Sequence, residues 1–256
     1  MGRLDDKVAI ITGAAGGIGK AAAEHFLDEG AKVMLVDLDE EQLQQTADEL
    51  GNSDNVGIKA ADVSEPEQVE AYVDACVDQF GRVDILFDNA GIEGKMKPLT
   101  QMSFEEFDRV QKVNLYGCWL GLKYAAPKIA ESGGGSIVMT SSVAGIIGSK
   151  GLGAYVASKH GVVGLMKTAA QELADQDIRV NTVNPGPIQN RMMDSIEEQA
   201  NPDDPNSVEQ GFKQMVPMGR YGTNEEVANL VTFLASDEAG YCNGGVYTVD
   251  GGFTSM

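Results

Sequence analysis

The sequence predicts one α/β domain over residues 1–256, in which helices cover both faces of a doubly wound, seven-stranded parallel sheet. Apolar runs rich in β-branched residues alternate with amphipathic helical stretches, and strands that alternate with helices pair in parallel. The runs are apolar along their whole length, as is typical of strands buried on both faces. The length and the 43% hydrophobic content suit a single domain of this kind.

Seven apolar runs are predicted strands, and six amphipathic stretches between them are predicted helices. The strands are Lys7–Thr12, Lys32–Asp37, Val56–Ala60, Val83–Asn89, Ser136–Ser141, Arg179–Asn184 and Val246–Val249. The helices are Lys20–Glu29, Glu40–Leu50, Glu65–Phe80, Phe104–Ala130, Ala154–Ala174 and Asn224–Leu234. Each helical stretch is long enough to cross over the sheet, which parallel pairing requires.

The segment Met192–Met215 interrupts this alternation after the sixth strand. It carries Asn201–Asn206, rich in Asn, Asp and Pro, between two short helical patterns. Long irregular insertions in compact domains are commonly lids or binding loops. Doubly wound sheets bind ligands beyond the carboxyl ends of their strands, so we expect a substrate lid at about residues 190–216.

The charge balance limits the partners of the protein. There are 19 basic and 39 acidic residues, a net charge of −20, and no basic run offsets it locally. Nucleic acid and anionic lipid are therefore excluded as expected partners. No apolar run approaches the roughly 20 residues that span a bilayer, and the chain enters its first strand without an apolar leader. We expect a cytoplasmic protein.

The three cysteines are predicted to be reduced core or interface thiols. Cys76, Cys118 and Cys242 are far apart, odd in number and outside any CxxC or Cys/His pattern. Neither a disulfide framework nor a metal site is expected from such spacing.

A glycine-rich segment follows the first strand and precedes a helical pattern that begins near Lys20. Glycines let the backbone turn tightly and approach a pyrophosphate, whose charge is favoured by the free N–H groups at a helix start. Strand, glycines and helix in this order predict the dinucleotide-binding turn of a Rossmann sheet. The predicted cofactor contacts here are Gly13, Ala15, Gly16, Gly17, Ile18 and Gly19.

Asp37 ends the second strand, where a carboxylate can accept hydrogen bonds from the adenosine ribose. The same carboxylate repels a 2′-phosphate. Positions 16 and 38 are occupied by Gly16 and Leu38, so no Arg or Lys there offsets this repulsion. The sequence therefore favours NAD(H) over NADP(H). In an alternative interpretation Asp37 only caps the next helix, a role that Asp39 could also fill.

Tyr155 and Lys159 lie one turn apart on a predicted helix, so their side chains share a face. A phenol with a pKa of about 10 is a poor base at neutral pH, and a nearby ammonium lowers that pKa. The fifth strand delivers Ser141 and Ser142 to the same crevice. Asn114 is either a polar break in the predicted helix 104–130 or a solvent-facing side chain.

These residues together resemble the short-chain dehydrogenase/reductase superfamily, in its single-domain form, over nearly the whole chain. The motifs that carry the resemblance are Thr12–Gly19, Asp62-Val63, Asn89-Ala90-Gly91, Asn114, Ser142, Tyr155 with Lys159, and Asn184-Pro185-Gly186. The resemblance implies a Rossmann fold and hydride transfer between a nicotinamide and a secondary alcohol or ketone.

The resemblance also implies the catalytic roles. Ser142, rather than Ser141, has the family's spacing from Tyr155 and would hold the substrate oxygen. Tyr155 would be the general acid in reduction and the base in oxidation. Lys159 would lower the pKa of the tyrosine and hold the nicotinamide ribose, and Asn114 would keep a water in the proton relay behind it.

Further cofactor contacts come from the same resemblance. Those at the adenosine end would be Leu38, Asp62, Val63, Asn89, Ala90 and Gly91, and those at the nicotinamide would be Pro185, Gly186 and Ile188. One departure concerns the carboxamide contact, because this chain has Asn190 where relatives often have Thr. An amide still donates and accepts hydrogen bonds, so we expect cofactor binding to be retained.

The expected substrate is a small, neutral, cyclic or bulky apolar alcohol or ketone. The predicted substrate contacts, besides Ser142 and Tyr155, are Glu93, Val143, Leu152, Met192 and Met193. The apolar members could instead be core residues, and Glu93 could be a solvated loop charge. Residues 192–212 contain six acidic and no basic side chains, which disfavours anionic substrates. Residues 91–95 and 201–206 resemble levodione reductase-like cyclic ketone reductases.

Two alternative functions remain open. A 3-oxoacyl carrier reductase should have a basic patch near its pocket, and we expect none. A catalytically idle dinucleotide-binding protein is disfavoured by the complete set of Asn114, Ser142, Tyr155 and Lys159. Relatives are usually tetramers that associate through their long central helices and C-terminal elements, so the resemblance implies a homotetramer.

Overall fold

The computed structural model describes residues 2–51 and 53–255, and its seven strands form one parallel sheet. The strands are β1 (Val8–Thr12), β2 (Lys32–Asp37), β3 (Val56–Ala60), β4 (Ile85–Asp88), β5 (Gly135–Thr140), β6 (Ile178–Pro185) and β7 (Val246–Val249). Their order in the sheet is β3-β2-β1-β4-β5-β6-β7. The predicted doubly wound fold is thus confirmed, with small shifts at several strand ends.

Nine α-helices accompany these strands in the described residues. They are α1 (Gly17–Asp28), α2 (Glu40–Glu49), α3 (Pro66–Phe80), α4 (Phe104–Gln111), α5 (Gly117–Glu131), α6 (Gly153–Glu172), α7 (Arg191–Ala200), α8 (Pro205–Met215) and α9 (Asn224–Ala235). Local signals fix several of their starts: Ser103 and Thr223 form capping boxes with the glutamates three residues later. Among the described residues, no helix is both long enough and apolar enough to cross a membrane.

The sheet buries both of its faces against helices. Alternate residues of a strand point to opposite faces, so Ile11 packs with α1 and α9 while Ile10 packs with α3, α5 and α6. Both isoleucines are completely buried. Burial of an aliphatic side chain contributes roughly 1.5–3 kcal/mol, so this continuous apolar packing makes the sheet a rigid platform for the loops at its edge.

The predicted single helix over Phe104–Ala130 is wrong in one respect. Helices α4 and α5 are separated by a π-helical turn, Lys112–Tyr116, which contains Asn114. The side chain of Asn114 bonds to Ile92 and Ser158 on neighbouring segments, and these bonds hold the backbone in the wider turn. Asn114 is completely buried, which excludes the solvent-facing interpretation.

The segment Met192–Met215 is more regular than the sequence suggested. It forms α7 and α8, and only residues 201–204 between them are non-helical. Asn190 and Asp204 cap the two helices, and Pro205 occupies the first turn of α8. The apolar side of this helix pair packs on Leu152 and Tyr155 and forms a small satellite core.

Strand order reverses between β1 and β4, which lie side by side although β2 and β3 come between them in sequence. The loops that leave the two strands therefore diverge to opposite sides and open a crevice at their carboxyl ends. Such a reversal is where doubly wound sheets bind their ligands. The glycine-rich turn after β1 and Asn89 after β4 both lie there.

Candidate active site

A cavity of about 910 Å³ opens at the carboxyl ends of the strands. This volume lies in the upper part of the range of ligand pockets. The predicted site residues that line it are Gly13, Ala15, Gly16, Gly17, Ile18, Asp37, Leu38, Asp62, Val63, Asn89, Ala90, Gly91, Ser142, Val143, Leu152, Tyr155, Lys159, Pro185, Gly186, Ile188, Met192 and Met193. Gly19, Glu93 and Asn114 lie behind this wall.

The turn after β1 keeps its backbone close to its neighbours. Gly13 has φ +65°, and a Cβ there would lie 3.0 Å from the Cα of Ala90. A Cβ on Gly17 would lie 2.6 Å from the Nδ2 of Asn224, and one on Gly19 would collide with the carbonyl oxygen of Gly13. All three glycines therefore permit close packing of the turn, and Gly13 and Gly17 also line the cavity.

Asp37 stands at the end of β2 and faces the glycine-rich turn. Its Oδ2 accepts a hydrogen bond of 3.0 Å from the N–H of Ala15, and its Oδ1 accepts one of 2.8 Å from the N–H of Leu38. Asp39, not Asp37, caps α2 by accepting from the N–H groups of Glu41 and Gln42. The capping interpretation of Asp37 is thus wrong, and its carboxylate lines the cavity.

Asn89 braces the sheet edge. Its Nδ2 donates to the carbonyl oxygens of Thr12 at 3.2 Å and Gly13 at 3.4 Å, and its Oδ1 accepts from the hydroxyl of Thr140 at 3.1 Å. The side chain therefore ties together the ends of β1, β4 and β5. This geometry fixes the position of the glycine-rich turn relative to β4 and β5.

Asp62 and Val63 follow β3 at the far end of the cavity. The Oδ1 of Asp62 accepts from the backbone N–H and the hydroxyl of Ser64, at 2.9 and 2.7 Å. These bonds fix the turn before α3. Val63 is buried and packs against the Cα of Gly117, the first residue of α5.

Ser142, Tyr155 and Lys159 meet in the cavity wall, all three buried. Tyr155 and Lys159 lie one turn apart on α6, as predicted, and the Lys159 Nζ lies 5.6 Å from the centre of the Tyr155 ring. This Nζ donates to the carbonyl oxygen of Thr140 at 2.8 Å. The Tyr155 hydroxyl lies 4.0 Å from the Sδ of Met192.

Burial is the largest influence on the pKa values of Tyr155 and Lys159. Burial raises the pKa of Tyr155 to about 12, a hydrogen bond with Ser142 opposes that rise, and the charge of Glu93 adds to it. Burial also lowers the pKa of Lys159, while Cys118 and Asp88 raise it. Burial therefore disfavours the charged form of each group, the phenolate of Tyr155 and the ammonium of Lys159.

The backbone around Ser142 is held in place by its neighbours. The Ser142 hydroxyl accepts from the N–H of Ala144 at 3.1 Å, and its carbonyl accepts from the Nδ2 of Asn184 at 2.8 Å. Ser141 instead donates to the carbonyl of Lys159 at 3.0 Å. Ser141 is thus engaged with Lys159, whereas Ser142 is the serine that opposes the rise in the pKa of Tyr155.

Asn114 lies next to Ser158, which is on the helix that carries Tyr155 and Lys159. Its Oδ1 accepts from the N–H of Ile92 at 2.8 Å, and its Nδ2 donates to the carbonyl of Ile92 and the hydroxyl of Ser158. The amide is therefore fully occupied. Turns of this π type are frequent at functional sites because they release backbone groups from the helical ladder.

Asp88 is a buried acid that the sequence analysis did not single out. Its Oδ1 accepts from the hydroxyl of Thr12 at 3.1 Å, and its Oδ2 has no hydrogen-bond partner among the described residues. Burial raises the pKa of Asp88 to about 7, although Thr12, Lys159 and Cys118 oppose the rise. No simple sequence signal separates this aspartate from a surface one.

Asn190 caps α7 at the nicotinamide end of the predicted site. Its Oδ1 accepts from the N–H groups of Met192 at 3.1 Å and Met193 at 3.4 Å, and its Nδ2 donates to Asn224 at 3.4 Å. Its side chain is thus already engaged in the fold.

The remaining wall of the cavity is mainly apolar. Besides the predicted residues, it includes Ile147, Ile196, Phe212 and Phe253, which the sequence analysis did not assign to the site. Ile196 and Phe212 could have been found from the helical spacing of α7 and α8. Glu93 does not line the cavity, and it bonds instead to the hydroxyl of Ser195 at 2.5 Å.

Single basic residues line the cavity, although the sequence analysis expected no basic patch near the pocket. Arg109 and Lys112 from α4 and Arg191 from α7 line the cavity. Residues 192–212 do lack a basic side chain, but Arg191 immediately precedes them. Lys112 is paired with Asp108 at 2.8 Å.

The three cysteines are free thiols, with Cys76 and Cys118 buried and Cys242 half-buried.

Comparison with known proteins identifies the family. A family model described as enoyl-(acyl carrier protein) reductase matches residues 13–254. Levodione reductase of Leifsonia aquatica is 42% identical over 98% of this chain and 95% of its own. The chain belongs to the short-chain dehydrogenase/reductase superfamily. Cyclohexanol dehydrogenase of Acinetobacter sp. (strain SE19) is 39% identical over 99% of this chain and 97% of its own.

Solved structures from the superfamily agree with this assignment. The crystal structure of levodione reductase has a TM-score of 0.96 and 41% identity, covering 99% of both chains. That of carveol dehydrogenase from Mycobacterium avium in complex with NAD has a TM-score of 0.95 and 33% identity over all of both chains. The predicted superfamily membership and oxidoreductase class are thereby confirmed.

The residues present fit the nicotinamide dinucleotide of this superfamily. A glycine-lined turn without side-chain obstruction leads into the N-terminus of α1, whose first turn holds no acidic residue. Unpaired N–H groups at such a terminus favour phosphate. Asp37 lies beside this turn and can accept from ribose hydroxyls. The cavity therefore provides a place for the diphosphate and for a ribose of the dinucleotide.

Proposed function

We propose that the protein transfers a hydride between NAD(H) and a neutral secondary alcohol or ketone, cyclic or otherwise bulky and apolar. The observation that carries the proposal is the meeting of Ser142, Tyr155 and Lys159 in a cavity that also contains the glycine-rich turn and the apolar side of α7. There the carbonyl carbon of a ketone can receive a hydride while its oxygen receives a proton.

Tyr155 is the proposed acid and base. In ketone reduction its hydroxyl gives a proton to the substrate oxygen, and in alcohol oxidation the phenolate accepts that proton. Ser142 lies beside this hydroxyl and holds the substrate oxygen against it. The bound nicotinamide supplies the hydride in reduction and accepts it in oxidation.

Lys159 and Asn114 support this proton transfer in the proposed mechanism. The Lys159 ammonium lies over the Tyr155 ring and favours the phenolate form. It would also bond to the nicotinamide ribose. Asn114 lies in the π-helical turn, and its side chain is fixed by Ile92 and Ser158. We propose that Asn114 holds the loop at Gly91 and Ile92 in place. Backbone groups that the π-helical turn frees from the helical hydrogen bonds would hold a water of the proton relay.

We propose that the remaining predicted cofactor contacts bind different parts of the dinucleotide along the cavity. Gly13, Ala15, Gly16, Gly17 and Ile18 would face the pyrophosphate, while Gly19 supports their turn by packing. The adenosine end would be held by Leu38, Asp62, Val63, Asn89, Ala90 and Gly91, and the nicotinamide by Pro185, Gly186 and Ile188. All of these except Gly19 line the cavity.

NAD(H) is the proposed cofactor in preference to NADP(H). The carboxylate of Asp37 lies at the turn where the adenosine ribose is expected and would repel a 2′-phosphate. Leu38, which follows it, is 69% exposed and carries no charge to offset that repulsion. The relative solved with NAD, carveol dehydrogenase, supports the same choice.

The proposed substrate is supported by the apolar wall and by the relatives. Val143, Leu152, Met192 and Met193 line the cavity beside Tyr155. Helices α7 and α8 form the proposed lid. Levodione reductase, cyclohexanol dehydrogenase and carveol dehydrogenase are named for cyclic ketones or alcohols. A cyclic substrate of this size would fill the apolar space without needing a charged partner.

A substrate panel tests the proposal. Purified protein is assayed with NAD and cyclohexanol, and with NADH and cyclic diketones, linear ketones and an acetoacetyl thioester. Turnover of the cyclic compounds, with NADH favoured over NADPH, is the expected result. Preference for the thioester would support the alternative carrier-protein reductase. Tight NADH binding without any turnover would support the idle dinucleotide-binding alternative.

A homotetramer is the proposed assembly. Tyr116 and Trp119 on the central helices are 46% and 49% exposed, and edge strand β7 leaves Val246 37% exposed. Unpaired sheet edges and exposed aromatic side chains are common at subunit contacts. Light scattering should give four times the monomer mass, and Trp119→Glu should lower it.

We propose a cytoplasmic location, which cell fractionation tests.

A further inference from the structure

Arg191 is the first residue of α7 and lines the cavity that we assign to the cofactor. Within residues 2–51 and 53–255, its guanidinium has no hydrogen bond or ion pair. Other arginines do have such partners: Arg82 pairs with Asp84, and Arg220 pairs with Glu226. In a chain with a net charge of −20, a cation left without an acidic partner in a cavity wall suggests an anionic ligand.

A series of contacts connects Arg191 to the glycine-rich turn. The Cα of Gly17, at the start of α1, lies against the side-chain amide of Asn224, where a Cβ would meet Nδ2 at 2.6 Å. Asn224 in turn accepts a hydrogen bond from Asn190, the cap of α7. The N-termini of α1 and α7 are therefore brought to the same part of the cavity, and Arg191 extends from the second of them.

The other cations of the cavity are differently placed. Lys159 donates to the carbonyl of Thr140, and Lys112 is paired with Asp108. Arg109 likewise has no ion pair among the described residues, but it lies on α4, outside the contacts that join α7 to the glycine-rich turn, and Glu105 and Asp108 of the same helix also line the cavity. Among these cations of the cavity wall, Arg191 is the one that the contacts of Asn190, Asn224 and Gly17 connect to the turn that would receive a pyrophosphate. A guanidinium fits phosphate oxygens with two parallel hydrogen bonds.

We propose that Arg191 binds the diphosphate bridge of the dinucleotide and so fixes the start of the lid helix α7 when the cofactor is bound. This inference rests on the proposed function, since it takes the cavity to be a dinucleotide site. It adds a charged contact to a site whose other expected phosphate contacts are backbone N–H groups.

The contact has a consequence for the substrate. Met192, Met193 and Ile196 follow Arg191 on α7 and form one wall of the apolar pocket. The later part of α7 is already held, because Ser195 bonds to Glu93 and Gln199 bonds to the backbone of Gly94 and Met96. A phosphate at Arg191 would fix the start of the helix as well. The substrate pocket is then complete only after the dinucleotide has bound.

Calorimetric titration with three ligands tests the inference on the full-length protein. NADH and ADP-ribose contain the diphosphate, whereas adenosine does not. The variants are Arg191→Met, which removes the charge at similar side-chain length, and Arg191→Lys, which keeps it. Lys167→Met is the matched control, because Lys167 is exposed on α6, lies outside the cavity wall and changes the net charge by the same amount.

The expected result is that Arg191→Met weakens NADH and ADP-ribose binding by roughly tenfold, with a reduced dependence on salt, and leaves adenosine binding unchanged. Arg191→Lys should recover part of the loss, and Lys167→Met should behave as wild type. Hydrogen exchange provides a second measurement: ADP-ribose should slow exchange of the α7 amides in the wild type but not in Arg191→Met.

Equal NADH affinity and equal salt dependence in wild type and Arg191→Met would overturn the inference. So would equal weakening of adenosine, since that would indicate a general disturbance of the cavity. Neither result would affect the proposed function, as wild type would still bind NADH. Failure of wild type to bind NADH at all is a different outcome, and it would contradict the proposed function along with the inference.

Discussion

The ammonium of Lys159 lies 5.6 Å from the centre of the Tyr155 ring and over its face. Its hydrogen bond to the carbonyl of Thr140 fixes that position from the end of β5. Both side chains are buried, and burial works against the charged form of each. The pair therefore depends on its geometry for any stabilisation of a phenolate.

Lys159→Met should move the pH dependence of alcohol oxidation. Oxidation needs deprotonated Tyr155, so its rate rises with pH until the tyrosine has titrated. A nearby cation lowers the pKa of the phenol, and its removal shifts this rise to higher pH. We expect oxidation at pH 7 to fall by roughly a hundredfold or more, measured as kcat/KM across a pH series. A profile that kept its wild-type midpoint would show that Lys159 does not tune Tyr155.

Asp37→Ser combined with Leu38→Arg should change the cofactor preference. The double variant removes the carboxylate beside the expected ribose and adds a cation that can pair with a 2′-phosphate. The ratio of NADPH to NADH affinity should rise by roughly a hundredfold. Asp39→Ser is the control, because Asp39 caps α2 and lies outside the cavity wall. An unchanged ratio in the double variant would contradict the assignment of Asp37.

Asp88→Asn should make the protein more stable at high pH. Burial raises the pKa of Asp88 to about 7 in the folded protein. The folded state therefore holds a proton that the unfolded state releases above about pH 4, and stability falls as pH rises through this interval. Asparagine can still accept from Thr12 but has no charge to bury. Urea unfolding at pH 8 should show a gain on the order of 1–3 kcal/mol that disappears near pH 4.

Asp84→Asn is the matched control for that experiment. Asp84 is equally buried but accepts from the guanidinium of Arg82 and from the N–H of Val8. Removing its charge leaves Arg82 without its partner, so this variant should lose stability at pH 8. A gain in both variants, or in neither, would show that burial of an unpaired charge is not what distinguishes Asp88.

Gly19→Ala should destabilise the first helix. A Cβ there collides with the carbonyl oxygen of Gly13, a backbone atom that cannot move without displacing the glycine-rich turn. We expect a loss of roughly 2–4 kcal/mol in unfolding free energy and weaker NADH binding. Gly211→Ala in α8 meets no atom within 4 Å and should be neutral or stabilising. Equal stability of the two variants would contradict the packing role of Gly19.

Much of the fold could be predicted because its signals are local. The apolar strands and the glycines after β1 follow from residue type and spacing alone. The π-helical turn at Asn114 could not be predicted, since it depends on hydrogen bonds to Ile92 and Ser158, which lie elsewhere in the sequence. The helices α7 and α8 agree with the two short helical patterns predicted on either side of residues 201–206, and α8 begins at the ordinary start signals Asp204 and Pro205.

In the site, too, local signals were predictive and contacts between distant segments were not. Tyr155 and Lys159 are linked by helical spacing, and they do share a face of α6. Glu93 was predicted as a substrate contact, but its bond to Ser195 joins two segments whose proximity no local pattern indicates. The position of Arg191 in the cavity wall likewise depends on how α7 packs against the sheet edge. Contacts between segments that are distant in the sequence could not be predicted from the sequence alone.

The central claim is that the Tyr155 hydroxyl carries the proton of the reaction. The most direct test is Tyr155→Phe, which keeps the ring and removes only the hydroxyl, assayed with a cyclic alcohol and NAD beside a titration with NADH. We predict that kcat falls by roughly a thousandfold or more while NADH affinity stays close to that of wild type. Turnover near the wild-type rate in this variant would contradict the account.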